Sequence, residues 1–219
     1  MKLAVFDICG TLYNDNTTYS FLRWLSKKNI IKYNKSIMNA PYILRALNVI
    51  YSSFSRKDVY RILQVKQLSN FSFDDINKWA REFVDELEEN RIYSTNILME
   101  EYKKQGYKIV IASATIEPVA RAIAQKLGVE YYSSTIGFLN NKCTGEINKD
   151  LLFLKKDTLL HLLKKAETTI VVTDNYTDIE LVLVSDHSHI IVRNDRDIEK
   201  WNRCLKANAR KVDFIKKDA

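Results

Sequence analysis

The chain of 219 residues contains few of the residues that interrupt or cross-link a fold: five glycines, two prolines and three cysteines. The scarcity of glycine and proline, without any low-complexity tract, argues against disorder, which we expect only in the basic tail at residues 211–219. The cysteines are Cys9, Cys143 and Cys204, an odd number without C-x-x-C spacing. This pattern argues against a disulfide framework or a cysteine-ligated zinc site.

The sequence also lacks any apolar run of the length that a membrane span needs. At the N-terminus only a few apolar residues precede Asp7, too few for a signal peptide. We therefore expect a soluble, cytoplasmic protein, and 46% apolar residues suffice for a sizeable core. Histidine is scarce as well, and we expect the His187-Ser-His189 pair to be a feature of the surface rather than a metal site.

Positive charge is present in excess, and it is concentrated in one segment. The net charge is +7, yet residues 20–68 hold ten basic side chains against one acid, Asp58, for a local net charge of +9. The rest of the chain is therefore slightly negative, at about −2. Such an excess indicates a separate lobe that meets an anionic partner, although a solvated helical face gives the same pattern.

Hydrophobic periodicity predicts an α/β protein with a helical insertion. An apolar strand over residues 3–6 is followed by about ninety residues at helical spacing, with helix starts at Asn16 or Thr17, at Ser55 and at Ser72. From Gly106 onward strands and helices alternate. The later strands are predicted at residues 108–112, near 131, at 169–173 and at 190–192, the helices at 118–127, 157–165 and 178–183, and a hairpin at 138–145.

This alternation is typical of a doubly wound parallel sheet. We predict a core domain formed by residues 1–15 and 95–219 and a helical cap domain formed by residues 16–94.

Several predicted strands end in polar side chains, at the edge of the sheet where such folds bind ligands. Asp7 follows the first strand and can attack phosphorus as a nucleophile. Ser113 follows the second strand and can donate a hydrogen bond to a phosphoryl oxygen. Asp174 follows a later strand, with Asp178 four residues on, and carboxylates of this kind hold Mg²⁺. Taken singly, each residue could equally cap a turn or a helix.

Three such strand ends in this order, with a lysine between the second and the third, resemble the haloacid dehalogenase superfamily over nearly the whole chain. The phosphoserine phosphatase-like branch is the most similar. The resemblance implies that Mg²⁺ is the cofactor and that a small phosphorylated metabolite is hydrolysed through an aspartyl phosphate on Asp7. It implies catalytic positions at Asp7, Cys9, Ser113 and Lys155, substrate contacts at Gly10, Thr11, Ala114 and Lys156, and metal ligation by Asp7, the Cys9 carbonyl, Asp174 and Asp178. Sequence cannot separate Lys155 from Lys156 as the active-site lysine, and we favour Lys155.

Cys9 departs from the pattern of this superfamily. Its phosphatases have a second aspartate two residues after the nucleophile, which protonates the leaving oxygen, and a thiol with an ordinary pKa of about 8.5 is poorly suited to that role. Phosphonatase-like or acyl-phosphate chemistry, or ligand binding with little turnover, are therefore alternatives. A third alternative is a basic cap that docks on nucleic acid or on an anionic membrane through the stripe Ile43, Leu47, Ile50 and Phe54. As the binding partner, we favour a small phosphorylated substrate over nucleic acid and over a membrane surface.

Overall fold

A computed structural model describes residues 1–32, 58–205 and 211–217 of the protein. Within these ranges the strands form one seven-stranded sheet in the order β4-β3-β2-β1-β5-β6-β7. The strands are β1 (Lys2–Phe6), β2 (Lys108–Ile116), β3 (Glu130–Leu139), β4 (Lys142–Lys149), β5 (Thr168–Thr173), β6 (His187–Val192) and β7 (Lys211–Lys216). Neighbouring strands are parallel except β3 and β4, which are antiparallel.

The described helices flank this sheet. They are α1 (Thr17–Lys27), α2 (Val59–Val65), α3 (Phe73–Leu87), α4 (Tyr93–Lys104), α5 (Glu117–Leu127), α6 (Lys155–Leu163), α7 (Ile179–Val184) and α8 (Asp195–Leu205). Short 3₁₀ turns lie at Lys66–Leu68, Glu88–Asn90 and Tyr176–Asp178. Helices α1 to α4, which we call the helical insertion, lie between β1 and β2 in the chain. The predicted α/β fold with a parallel sheet and an early helical insertion is confirmed.

Alternating residues of β1 separate the core into two layers. Ala4 and Phe6 belong to a cluster on one face of the sheet, whereas Leu3 and Val5 belong to a cluster on the other. This alternation is the period of two that an extended strand imposes, and it requires apolar residues at every position of a strand covered on both faces. Phe21 and Phe83 of the helical insertion share the cluster of Phe6. The insertion therefore contributes to the core of one sheet face, and the predicted domain boundaries stay a prediction.

Local signals set several element ends as the sequence predicts. The Ser72 hydroxyl caps α3 by accepting a hydrogen bond from the backbone N–H of Asp75 at 3.0 Å. Gly128 ends α5 in the left-handed region, with φ +64°. Asn140 and Asn141 form the two-residue turn of the predicted hairpin, both with positive φ. The predicted helix start at Ser55 lies outside the described residues.

The expectation of a disordered tail at residues 211–219 is wrong for its first six residues. They form β7, which pairs in parallel with β6 from His187 opposite Lys211 to Val192 opposite Lys216. Val212 and Phe214 pack against the same cluster as Leu3 and Val5, so the apolar residues between the lysines stabilise the strand. The positive charge of this segment predicts disorder, whereas the alternation of Val212 and Phe214 with polar residues is the pattern of a strand.

The basic segment is described only in part. The apolar stripe Ile43, Leu47, Ile50 and Phe54, on which the membrane alternative rests, lies outside the described residues. Across the described ranges, no helix combines the length and the apolar character that crossing a bilayer requires.

Candidate active site

Asp7 lies at the carboxyl end of β1, in the middle of the sheet. Its backbone N–H donates to the carbonyl of Val172 on β5 at 3.0 Å, which fixes where the strand ends. The side chain is only 3% exposed. Its Oδ1 accepts a hydrogen bond from the N–H of Ile8 at 2.8 Å and lies 3.0 Å from Lys155 Nζ. The carboxylate is thus buried, ionically paired and held in one orientation.

Lys155 joins Asp7 to a second buried carboxylate. The lysine is 4% exposed, and its Nζ donates to Asp178 Oδ2 at 2.7 Å. Burial alone would lower the pKa of Lys155, but the neighbouring carboxylates of Asp178 and Asp7 outweigh it and raise that pKa, so the ammonium stays charged. The Thr173 hydroxyl donates to the same oxygen of Asp178 at 2.7 Å. Burial raises the pKa of Asp178, and the lysine and the hydroxyl oppose this rise.

Asp174 follows β5 directly and is tied to the loop after β1. Its backbone N–H donates to Thr11 Oγ1 at 3.0 Å. Burial, and then the charge of Asp7, raise the pKa of Asp174 to about 7. A Cβ placed on Gly10, whose φ is +70°, would lie 1.9 Å from Asp174 Oδ2. Only glycine therefore lets this loop approach the carboxylate so closely.

These charges make the site suitable for a hard cation. Asp7 and Asp178 pair with the buried ammonium of Lys155, and the charges of Lys217 and Lys155 act on Asp174, so three carboxylates lie near two cations. Burial, and then the charge of Asp7, raise the pKa of Asp174 more than Lys217 and Lys155 lower it, so a further cation would favour the ionised carboxylate. Carboxylate and carbonyl oxygens are the ligands that Mg²⁺ prefers. The donor set therefore fits Mg²⁺.

A chain of hydroxyl groups lies beside Asp7 and includes the Cys9 thiol. Ser113 Oγ is 3.0 Å from Thr115 Oγ1, which is 2.7 Å from Thr17 Oγ1. Cys9 Sγ lies 3.2 Å from Thr17 Oγ1 and 3.4 Å from Thr115 Oγ1. Burial, and next the charge of Asp7, raise the pKa of the Cys9 thiol. The thiol is therefore protonated at neutral pH and is a weaker acid than in water.

A cavity of about 80 Å³ opens over Asp7 and is closed by the helical insertion. Ser113, Ala114 and Lys155 line it from the sheet side, and Asp58 and Arg61 line it from the insertion. Arg61 is itself buried. It donates to the carbonyl of Ala114 at 2.6 Å and pairs with Asp150, so that it joins the insertion to the sheet. A second, more open cavity of about 310 Å³ lies beside it and is lined by Cys9, Gly10, Asp174, Arg193 and Lys217 among others.

The structure brings together most, but not all, of the site residues predicted from the sequence. The two cavities are lined by Asp7, Cys9, Gly10, Ser113, Ala114, Lys155 and Asp174. Thr11 Oγ1 accepts from the backbone N–H of Asp174, and Asp178 accepts from Lys155 Nζ. Lys156 points elsewhere and pairs with Glu180 at 2.7 Å. Adjacent residues of a helix differ in direction by about 100°, so only one of the two lysines can reach Asp7.

Sequence reasoning missed several residues that line or support the site. Thr115 carried a usable signal, since Ser113 and Thr115 alternate along a strand and therefore share a face. Arg61 and Thr17 carried none, because their positions depend on how the insertion packs. Lys217, which follows β7, was assigned to the tail expected to be disordered.

Comparison with known proteins agrees with this geometry. The family model described as haloacid dehalogenase-like hydrolase matches residues 4–183, most of the chain. The chain belongs to this family of hydrolytic enzymes. The match runs from β1 into α7 and so includes Asp7, Ser113, Lys155, Asp174 and Asp178. Among curated proteins, none matches the chain by sequence.

Solved structures share the fold of this haloacid dehalogenase-like chain at low identity. A protein of unknown function from Bordetella pertussis Tohama I has a TM-score of 0.72 and 15% identity, covering 97% of this chain and 98% of that one. A phosphoserine phosphatase captured as an analogue of its phospho-aspartyl intermediate has a TM-score of 0.61 and 16% identity, covering 96% and 92%. Cytosolic 5'-nucleotidase IIIB bound to cytidine has a TM-score of 0.63 and 11% identity, covering 98% and 80%. At these identities the likeness establishes the fold.

Proposed function

We propose that this protein is a Mg²⁺-dependent phosphatase that hydrolyses a small phosphorylated metabolite through an aspartyl phosphate on Asp7. The observation that carries the proposal is the Asp7 carboxylate, which is buried, oriented by Ile8 and Lys155, and open to the cavity of about 80 Å³. A phosphoserine phosphatase of the same fold has been captured as a phospho-aspartyl intermediate analogue, which supports the same chemistry here.

In the first proposed step an oxygen of Asp7 attacks phosphorus, and the bond from phosphorus to the leaving oxygen breaks. Ser113 Oγ, which lines the cavity, donates a hydrogen bond to a phosphoryl oxygen, and the Lys155 ammonium offsets the charge gathered on the transferring group. Water then attacks the phosphorus of the aspartyl phosphate, releasing phosphate and restoring Asp7. Asp7, Asp174, Asp178 and the Cys9 carbonyl would hold Mg²⁺, which supplies further neutralisation of phosphate charge.

The cavity supports a small substrate. Asp58 and Arg61 close it on the side of the insertion, and Arg61 is already engaged by Asp150 and the Ala114 carbonyl. The space of about 80 Å³ beside Asp7 is therefore narrow, which supports a phosphoryl group as the part of the substrate that enters it.

A second candidate function is binding of a phosphorylated ligand with little turnover. Cys9 favours it, since a partly buried thiol whose pKa is raised is a poor proton donor for a leaving alkoxide. Acyl phosphates have a leaving group that needs no proton, so a poor proton donor at Cys9 would not slow their hydrolysis. The same holds for phosphonatase-like cleavage of a carbon–phosphorus bond, which releases no alkoxide.

The test is a screen of phosphorylated metabolites, run with Mg²⁺ and with a chelator, on wild-type protein and on Asp7→Asn. Asp85→Asn, at an exposed acid of α3, serves as the matched control. We expect turnover that requires Mg²⁺, is abolished in Asp7→Asn and is unchanged in the control. Full activity of Asp7→Asn would rule out the aspartyl phosphate. Ligand binding without turnover in wild type would instead favour the second candidate.

A further inference from the structure

Three potential metal ligands lie on β6 and β7, near the amino ends of these strands and away from the end of the sheet that carries Asp7. His187 and His189 are two residues apart on β6 and therefore share a face. Asp213 lies opposite His189 on the neighbouring parallel strand β7. Asp213 could not be assigned to this histidine pair from the sequence, because its strand, β7, was not predicted.

The three side chains are close enough to share one ion. His187 Nε2 lies 2.7 Å from Asp213 Oδ2, and His189 Nδ1 lies 3.9 Å from the same oxygen. One ligand atom from each residue falls within 4.8 Å of the others. Tetrahedral coordination with bonds of about 2.0–2.1 Å places ligand atoms roughly 3.3 Å apart. Small rotations of Asp213, which is about half exposed, and of His187 would bring the ligand atoms to that spacing.

His189 supplies an independent indication that something binds here. The residue is 8% exposed, and its Nδ1 is buried with no hydrogen-bond partner among the described residues. Its other ring nitrogen, Nε2, lies 2.6 Å from the hydroxyl of Tyr102 on α4. Buried polar atoms nearly always have a partner, so an unpartnered nitrogen that faces a carboxylate and a second imidazole needs an explanation.

We propose that His187 Nε2, His189 Nδ1 and a carboxylate oxygen of Asp213 bind one divalent transition-metal ion, with Zn²⁺ as the best match. Two imidazoles and one carboxylate form a set that zinc accepts, whereas Mg²⁺ prefers oxygen ligands alone. Nε2–H of His189 would then donate to the Tyr102 oxygen, which fixes the tautomer that leaves Nδ1 free for the metal. Water can complete the coordination on the exposed side of Asp213.

The ion would join β7 to β6, and α4 would brace it through Tyr102. β7 is one of the two edge strands of the described sheet, and Lys217, the residue after it, lines the open cavity beside Asp174. The site would therefore stabilise the strand that positions this lysine, although the ion itself lies away from Asp7.

The first test is a competition titration of Zn²⁺ against a chromophoric chelator in excess Mg²⁺, which keeps the carboxylate site at Asp7 occupied. The background is Cys204→Ser, which removes an exposed thiol that could bind zinc. We expect one equivalent of Zn²⁺. His187→Ala and Asp213→Asn should each abolish tight binding, and Tyr102→Phe should weaken it about ten- to a hundredfold.

His161→Ala is the matched control, because His161 also contacts a tyrosine hydroxyl, that of Tyr132, but has no place in the cluster. It should bind Zn²⁺ as wild type does. Binding that survives both His187→Ala and Asp213→Asn, or the lack of a bound equivalent in wild type, would overturn the proposal. Neither result would bear on the proposed phosphatase function.

A second measurement, the Tm with and without Zn²⁺, tells whether a variant has lost the metal site or has failed to fold. Zn²⁺ should raise the Tm of wild type and of His161→Ala but not of His187→Ala, because an ion that binds only the folded state stabilises it. His187 is partly exposed, so its replacement should leave the metal-free Tm close to that of wild type. An equal rise in Tm in all three proteins would show that the ion binds elsewhere.

Discussion

Replacing Asp174 with asparagine should stabilise the metal-free protein at pH 8, although Asp174 belongs to the proposed Mg²⁺ site. Burial and the charge of Asp7 raise the pKa of this carboxyl from 3.8 to about 7. Between about pH 4 and pH 7 the folded protein therefore holds a proton on Asp174 that the unfolded chain releases. Stability falls as the pH rises through this window, and the loss is complete above pH 7.

The size of the effect follows from the shift. Each pKa unit corresponds to about 1.36 kcal/mol, so a shift of about three units costs the folded state at most about 4 kcal/mol above pH 7. Asparagine has the same shape and carries no charge. Because Asp174 is partly solvated, we expect the Asp174→Asn protein to gain about 2–4 kcal/mol in free energy of unfolding at pH 8 and little at pH 4.

The assay is urea unfolding of wild type and Asp174→Asn between pH 4 and pH 8, with a chelator and again with Mg²⁺. Mg²⁺ at about 100 times its Kd should add about 2.7 kcal/mol to wild type and much less to the variant. Asp195→Asn, at an exposed acid paired with Lys216, should change stability by no more than about 0.5 kcal/mol. A variant that is less stable than wild type at pH 8 without metal, or that gains as much from Mg²⁺, would refute the reasoning.

Three further predictions concern the other residues of the site. Cys9→Asp should raise the turnover of alkyl phosphates by a much larger factor than that of aryl phosphates in steady-state assays, because only the poor leaving group needs a proton. An equal change for both would contradict this role. Gly10→Ala should abolish Mg²⁺ binding in calorimetry and lower the free energy of unfolding by more than about 1 kcal/mol. The reason is that its Cβ would lie 1.9 Å from Asp174 Oδ2, at a residue with positive φ. Normal metal binding would show that the loop can relax. Lys155→Gln should cost about 3–5 kcal/mol in the same assay, since it leaves two buried carboxylates without their cation, whereas Lys156→Gln should cost about 1 kcal/mol or less.

The sequence by itself determined the fold class, with an early helical insertion followed by alternating strands and helices, although it did not reveal β7. Strands buried on both faces appear as continuous apolar runs, and each run that ends in a polar residue identifies a position at the ligand-binding edge of a parallel sheet. Asp7 and Asp174 could be placed in this way, because the signal lies within a few neighbouring residues of each. Ser113 also follows an apolar run, but it lies inside β2, which continues beyond the predicted end at residue 112 to Ile116. The helix stop at Gly128 and the turn at Asn140 and Asn141 are equally local.

Tertiary structure alone decided which side chains meet across the fold. Lys155 and Lys156 are adjacent residues of the same type, so the sequence does not distinguish them. Only the orientation of α6 against the sheet places Lys155 between Asp7 and Asp178. Arg61 reaches the cavity only because the helical insertion packs over the sheet.

The pairing of His189 with Asp213 could not be predicted, because it joins strands 24 residues apart in the chain. Local sequence constrains the conformation of a segment, whereas such contacts depend on how distant segments share a core. The net charge of the last residues likewise concealed β7, since an edge strand needs only alternate apolar side chains and a neighbouring strand with which to pair.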